Sequence, residues 1–179
     1  TMEILKFRGT DHQKGEFPFT IVSERGIVGV PLSMVKLDQK SSMARIKTGN
    51  EELDQMCDGG FFRDSIVLVS GATGAGKTLL STEFLAAAKD PERCLLFAFE
   101  ESRDQLIRNA TGWGLDFEQM EQEGRLKIVC EYPEVLGLED HLVTMKDLIE
   151  EFAPTRIAVD SLSDMERGAT NKSFREFVI

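Results

Sequence analysis

Eight consecutive residues, Gly71-Ala-Thr-Gly-Ala-Gly-Lys77-Thr78, carry the most specific chemistry in the sequence. They fit in full the phosphate-loop pattern of a glycine, four variable residues and Gly-Lys-Ser/Thr, and they lie where a strand gives way to a helix. Phosphate oxygens need many donors at close range. Gly74 and Gly76 let the backbone turn its N–H groups inward. The helix that follows adds the positive end of its dipole. Lys77 brings a cation to the β- and γ-phosphates, and Thr78 offers a hydroxyl to Mg²⁺. The expected ligand is ATP with Mg²⁺.

Acidic residues supply the second part of such a site. Asp160 ends the run Ile157-Ala-Val-Asp160, and the carboxyl end of a neighbouring parallel strand is where the metal and its waters belong. The plainer alternative is a strand that simply ends in Asp. Glu100 and Glu101 follow the run ending at Phe99. A carboxylate there is placed to orient and deprotonate a nucleophile. Adjacent acids repel, which raises the pKa of one of them. The competing reading is a solvated acidic pair at a helix start, favoured by the dipole. Trp113 stands in Thr-Gly-Trp-Gly, where its ring could stack on adenine, although ordinary packing is the better reading of the residues alone. Residues 102–126 have the outline of a helix-turn-helix, but Asp116, Glu118, Glu121 and Glu123 make its second half acidic, unlike a DNA-reading helix.

These residues need elements to hold them. From residue 50 the pattern alternates strand and helix. A short helix spans Glu51–Met56 and closes at Gly59-Gly60. Ser65–Ser70 is an apolar run of the kind buried on both faces. A helix follows over Lys77–Lys89, then strands over Cys94–Phe99, Leu126–Cys130 and Arg156–Asp160. Ser102 with Gln105, and Asp116 with Gln119, have the spacing of capping boxes. Leu138, Leu142, Met145, Ile149 and Phe152 recur at helical spacing until Pro154. Such alternation predicts an α/β fold with a mainly parallel sheet and helices on both faces. Before residue 34 the pattern is short strands: Met2–Arg8, Phe17–Val22 with Pro18 favouring an edge, and Ile27–Leu32. Residues 34–49 are polar and read as a linker. The expected organisation is a β segment at 1–33, the linker at 34–49 and a larger unit at 50–179.

Composition sets the outer limits. The chain has 179 residues, 41% hydrophobic and 29% charged, which excludes a disordered, collagen-like or coiled-coil protein. No apolar run approaches the roughly 18 residues of a membrane span, and no secretory signal is recognisable. Cys57, Cys94 and Cys130 are far apart and read as buried thiols of a cytoplasmic protein, without a disulfide or zinc pattern. The net charge of −10 is uneven: residues 1–49 hold eight basic and five acidic residues, residues 50–179 thirteen and twenty-six. The acidic part is a poor surface for nucleic acid or anionic membrane.

Taken together, Leu53-Asp54, Gly59-Gly60-Phe61-Phe62, Ser70 to Thr78, Phe97-Ala-Phe-Glu-Glu-Ser102, Trp113-Gly114, Ile157-Ala-Val-Asp-Ser-Leu-Ser163 and Arg167-Gly168 resemble a RecA-like ATPase domain of the KaiC family. The likeness runs from Arg45 to Ile179 and is strongest to the second ATPase half of that family's two-half members. Lys6-Phe7-Arg8-Gly9-Thr10, with His12 and Gly15, resembles the end of the first half. The resemblance implies a RecA-like P-loop fold in a hexameric ring with nucleotide between subunits. It implies that Thr73, Gly74, Ala75, Gly76, Lys77, Thr78 and Leu79 bind ATP, and that Thr78, Glu100 and Asp160 serve Mg²⁺. Catalysis would then fall to Glu100, Lys77 and Glu101, with Trp113 against adenine. Lys6, Phe7, Arg8, Thr10 and His12 would reach a different nucleotide, held by the first half of a neighbouring subunit. Autokinase and autophosphatase activity in a timing system, and clock partners of the KaiA and KaiB type, are implied as well. The alternatives are a RecA-like ATPase acting on DNA and an ATP-dependent ring scaffold. Asp164-Met165-Glu166 departs from the small apolar residues the family is expected to place there. The resemblance also leads one to expect that the chain begins inside one ATPase half and stops inside the next.

Overall fold

The computed structural model describes residues 1–6, 8–11, 15–29, 41–132 and 137–167. Short antiparallel pairings come first. β1 (Met2–Glu3) pairs with β2 (Glu16–Phe17), and β3 (Phe19–Val22) pairs with β4 (Gly26–Gly29). Pro18 separates β2 from β3, as expected of a residue that has no N–H to give to a ladder. The third expected strand begins one residue early, at Gly26, and its end at 30–32 lies outside the described residues.

Residues 45–48 do more than link. β5 (Arg45–Ile46) pairs antiparallel with β6 (Phe61–Phe62), and α1 (Glu51–Met56) lies between them. Asn50 caps α1 by accepting the Leu53 N–H at 3.0 Å. Buried Asp54 accepts from both the N–H and the hydroxyl of buried Thr48, each at 2.9 Å. Gly60 has φ 121°, and any side chain there would run into the Ile46 carbonyl. The expected linker boundary at residue 49 therefore falls inside a hydrogen-bonded unit.

The main sheet follows. α2 spans Lys77–Ala86, β7 Cys94–Ala98, α3 Arg103–Gly112, α4 Phe117–Gln122, β8 Leu126–Cys130, α5 Leu138–Phe152, β9 Arg156–Asp160 and α6 Leu162–Arg167. β7 is central, with β8 and β9 parallel to it on either side, and all five of its residues are buried. Alternation along β7 splits the core. Cys94, Leu96 and Ala98 belong with Leu85, Leu106, Ala110, Phe117 and Met120 from α2, α3 and α4. Leu95, Phe97 and Phe99 belong with Leu138, Met145, Ile149 and Phe152 of α5 and Met165 of α6. Helices thus cover both faces of a parallel sheet, as the alternation predicts. The hairpin of β3 and β4 is tied to α5: Thr20 hydrogen-bonds Asp140, and Arg25 grips Asp147 with both guanidinium nitrogens.

Four expectations need correction. Ser65–Ser70 is not a buried strand: Ile66 is 100% and Leu68 77% exposed, and no ladder forms there. β7 has both edges filled by β8 and β9, and among the described residues no strand joins the outer edge of either. An apolar run says that burial is favourable but does not name the partner. Secondly, Asp116 accepts the Gln119 N–H at 2.9 Å, but the Gln119 amide turns to Glu123 at 2.7 Å, so only half of that capping box forms. Thirdly, among the cysteines only Cys94 is buried; Cys57 is half-buried and Cys130 exposed. Burial pushes the Cys94 thiol up to about 11. α2 is also three residues shorter than expected, ending at Ala86.

Candidate functional site

The phosphate loop enters α2 through Gly76, whose φ of 88° is a left-handed turn that a side chain would disfavour. Gly74 has φ 79° for the same reason. Lys77 Nζ donates to the carbonyls of Gly71 at 3.0 Å and Ala72 at 3.1 Å, which folds its ammonium back over the loop. Ser81 and Thr82 hydroxyls donate to the Thr78 carbonyl, at 2.9 and 2.7 Å, and so firm the first turns of the helix. An open cleft beside the loop is lined by Ser70, Ala75, Gly76, Lys77 and Leu79, with Asn50 and Glu83 at its side.

Arg156, at the start of β9, aligns the loop with the sheet. Its side chain is 4% exposed overall and donates to Phe84 O at 2.8 Å, Lys47 O at 2.7 Å and Glu92 at 2.9 Å. Phe84 lies near the end of α2, so the end of the helix meets the beginning of the strand. Lys77 lies about 10 Å back along the helix axis, and Asp160 about 13 Å forward along the strand. A helix packed back along the strand from that contact would carry the loop toward the Asp160 end of the sheet.

Asp160 and the glutamate pair meet at that end as well. Asp160 is registered against Ala98 of β7, and the Phe99 N–H donates to Asp160 O at 2.9 Å. Glu100 and Glu101 follow directly. Glu100 is exposed; Glu101 is half-buried, and its Oε2 is buried with no hydrogen-bond partner among the described residues. Burial raises the Glu101 pKa, and the charges of Asp160 and Glu100 raise it further. Asn109 of α3 opposes the shift by donating to Glu101 Oε1 at 3.4 Å. Behind the pair, the Phe99 ring meets buried His141 edge-on at 5.5 Å, and His141 Nδ1 lies 3.0 Å from Glu131.

The structure thus gathers Glu100, Glu101 and Asp160 where β7 and β9 end, and places Lys77 and Thr78 at the start of α2. Trp113 is the C-cap of α3 and is 41% exposed, which counts against the packing reading. Lys6, Arg8 and Thr10 are exposed on the turn between β1 and β2. Phe7, His12 and Gly168 lie outside the described residues. Asn109 and Arg156 were not legible as site residues. Asn109 looks like any helix-surface amide, and the one signal for Arg156 is an arginine opening an otherwise apolar strand.

Protein comparisons bear on this arrangement. The family profile described as "ATPase: KaiC" matches residues 46–179. The chain is 68% identical to "Circadian clock protein KaiC3" of Synechocystis sp., an alignment that covers 100% of this chain and 36% of that protein. It is 57% identical to "Circadian clock oscillator protein KaiC" of Synechococcus elongatus, over 100% of this chain and 34% of the relative. The chain therefore spans about a third of the length of the curated relatives it matches. The parallel sheet and its helices are the RecA-like P-loop fold, and the matched stretch contains the loop, the glutamate pair and Asp160. On that match, the chain belongs to the KaiC family of ATPases.

Proposed function

We infer that this chain binds and hydrolyses ATP. The observations that carry the reading are the phosphate loop at the start of α2 and the gathering of Glu100, Glu101 and Asp160 where β7 and β9 end. ATP phosphates would lie on Thr73 to Leu79, with the Lys77 ammonium leaving the Gly71 and Ala72 carbonyls for the γ-phosphate. Trp113 offers a face to adenine. Glu100 orients the attacking water and takes its proton. The water oxygen then bonds to the γ-phosphorus, and the bond to the bridging oxygen breaks with its electron pair leaving on ADP. Lys77 offsets charge on the transferred group, and Glu101 keeps a second carboxyl beside the first.

Mg²⁺ suits these donors. Thr78, Glu100 and Asp160 are hard oxygen ligands, and Mg²⁺ is commonly held by one or two carboxylates plus substrate phosphates. Among the described residues no cluster of three or more His, Cys, Asp or Glu forms a metal cage by itself. The crowding of acids that raises the Glu101 pKa, and its orphaned oxygen, are what a nearby cation would offset. When bound, Mg²⁺ would neutralise developing phosphate charge.

At the scale of the whole protein, the relatives' names support a timing protein, and a cytoplasmic location belongs to the same reading. Residues 1–33 would close a first ATPase half, 34–49 link the halves and 50–179 open the second. Lys6, Phe7, Arg8, Thr10 and His12 would face a nucleotide on a neighbouring subunit of a hexameric ring. Clock partners of the KaiA and KaiB type and Ser/Thr self-phosphorylation and dephosphorylation belong to the same reading; label transferred from γ-phosphate-labelled ATP to the full-length protein tests the kinase. For hydrolysis the tests are Lys77→Ala and Glu100→Gln in the full-length protein, with binding of a fluorescent ATP analogue and phosphate release as readouts. Lys77→Ala is expected to lose binding at this site, read as a lower number of nucleotides bound per chain. Glu100→Gln is expected to keep binding and to lose at least about 100-fold in turnover at this site. Unchanged turnover in Glu100→Gln would show that Glu100 is not the base and favour a ring scaffold.

A further inference from the structure

Asp164 is a buried carboxylate, 2% exposed, in the first turn of α6. It stands at one of the positions where the sequence departs from the small apolar residues expected of the family. Burying a carboxylate is costly unless it is hydrogen-bonded. Here the Ser161 hydroxyl donates to Asp164 Oδ2 at 2.5 Å, and the Asp164 N–H donates back to the Ser161 carbonyl at 3.2 Å. Those bonds close the turn that leaves β9 directly after Asp160. Both ends of the turn are fixed elsewhere. On the strand side, the Asp160 carbonyl accepts from Phe99 N–H at 2.9 Å. On the helix side, Met165 is buried in the cluster of Leu95, Phe97 and Phe99. The Ser161–Asp164 pair is the polar clip between these anchors, and it grips the residue next to a candidate metal carboxylate.

We propose that Asp164 is a positioning residue of the metal–nucleotide site: through Ser161 it holds the turn carrying Asp160, so that Asp160 faces a bound Mg·ATP in one orientation. This rests on the ATP reading above. A purely structural role for the clip would lower stability without altering how the metal helps the nucleotide bind. The measurement is therefore the affinity of full-length protein for a fluorescent ATP analogue, in excess Mg²⁺ and again in EDTA, alongside the thermal midpoint. Asp164→Ala is expected to lose roughly tenfold of the tightening that Mg²⁺ gives, the scale of an outer-shell metal effect, with EDTA affinity unchanged. Asp164→Asn keeps an acceptor for the Ser161 hydroxyl and is expected to retain the Mg²⁺ effect to within about threefold. Ser161→Ala removes the same contact from the other side and is expected to behave as Asp164→Ala, so the test stands even where Asp164→Ala does not fold. Wild-type Mg²⁺ tightening in Ser161→Ala overturns the proposal, as does an Asp164→Asn variant that falls as far as Asp164→Ala. Wild-type protein that binds no ATP, or binds it no better than Lys77→Ala, overturns the ATP reading instead.

Discussion

Glu101 shows how one side chain records the site around it. Burial is the largest cause of its raised pKa, followed by the charges of Asp160 and Glu100, and the Asn109 amide opposes them. An acid whose folded pKa lies above its ordinary 4.5 binds its proton more tightly in the folded state. Its contribution to stability is complete below that ordinary value and is lost as pH rises through the folded pKa. Toward neutral pH Glu101 therefore weighs against folding. Glu101→Gln, neutral at every pH, should raise the thermal midpoint near pH 7, and the gain should vanish at about pH 4. A gain of equal size at both pH values would mean that the charge of Glu101 is not what destabilises the fold. The position of the pair was legible, because the apolar run ends at Phe99 and the two acids follow it directly. Its partner Asn109 was not, because only the packing of α3 against the strand end brings residues 101 and 109 together.

Among the elements, β7, β8, β9 and α5 follow their sequence patterns closely, with β8, β9 and α5 matching end to end and β7 stopping one residue short. β7 is apolar on both faces, α5 on one, and burial rewards those patterns directly. Residues 65–70 have an equally strong pattern and a different outcome: no ladder forms there, although β8 and β9 each pair on one side only among the described residues. Arg156 belongs to this scale too, since it joins β9 to α2, to residue 47 and to Glu92. Its guanidinium also lies 5.0 Å from the centre of the Phe84 ring. Burial would raise the Glu92 pKa, but the hydrogen bond from Arg156 and the Lys89 N–H outweigh it and hold the carboxylate ionised. Removing one partner of a buried pair strands the other. Arg156→Ala should therefore cost about 3 kcal/mol in urea unfolding. Lys at this position keeps a charge but cannot reach three acceptors with one planar fork, so Arg156→Lys should recover only part of the loss. An Arg156→Ala variant as stable as wild type would show that the contacts to Phe84 and Lys47 do not seat α2.

At the scale of the whole chain, the distribution of charge bears on the choice between an ATPase that works on its own assembly and one that works on DNA. Residues 50–179 carry thirteen basic against twenty-six acidic residues, and the small excess of positive charge lies in residues 1–49. Duplex DNA presents one negative charge per roughly 1.7 Å of its axis, and non-specific binding depends on basic side chains that release its counterions. Three of the basic groups are committed elsewhere. Lys77 holds the loop, Arg103 pairs with Glu121 at 2.6 Å, and Arg156 is buried with Glu92. The acidic face at 116–123 is the one a recognition helix would have to present. A labelled 30-bp duplex should accordingly show no binding to the full-length protein up to about 10 µM at about 150 mM salt. ATP turnover should change by less than about twofold when DNA is added, since no counterion release links the two ligands. Binding that weakens steeply as salt is raised, together with turnover stimulated by DNA, would place a basic surface elsewhere in the full-length protein and favour the DNA-acting reading of the same phosphate loop.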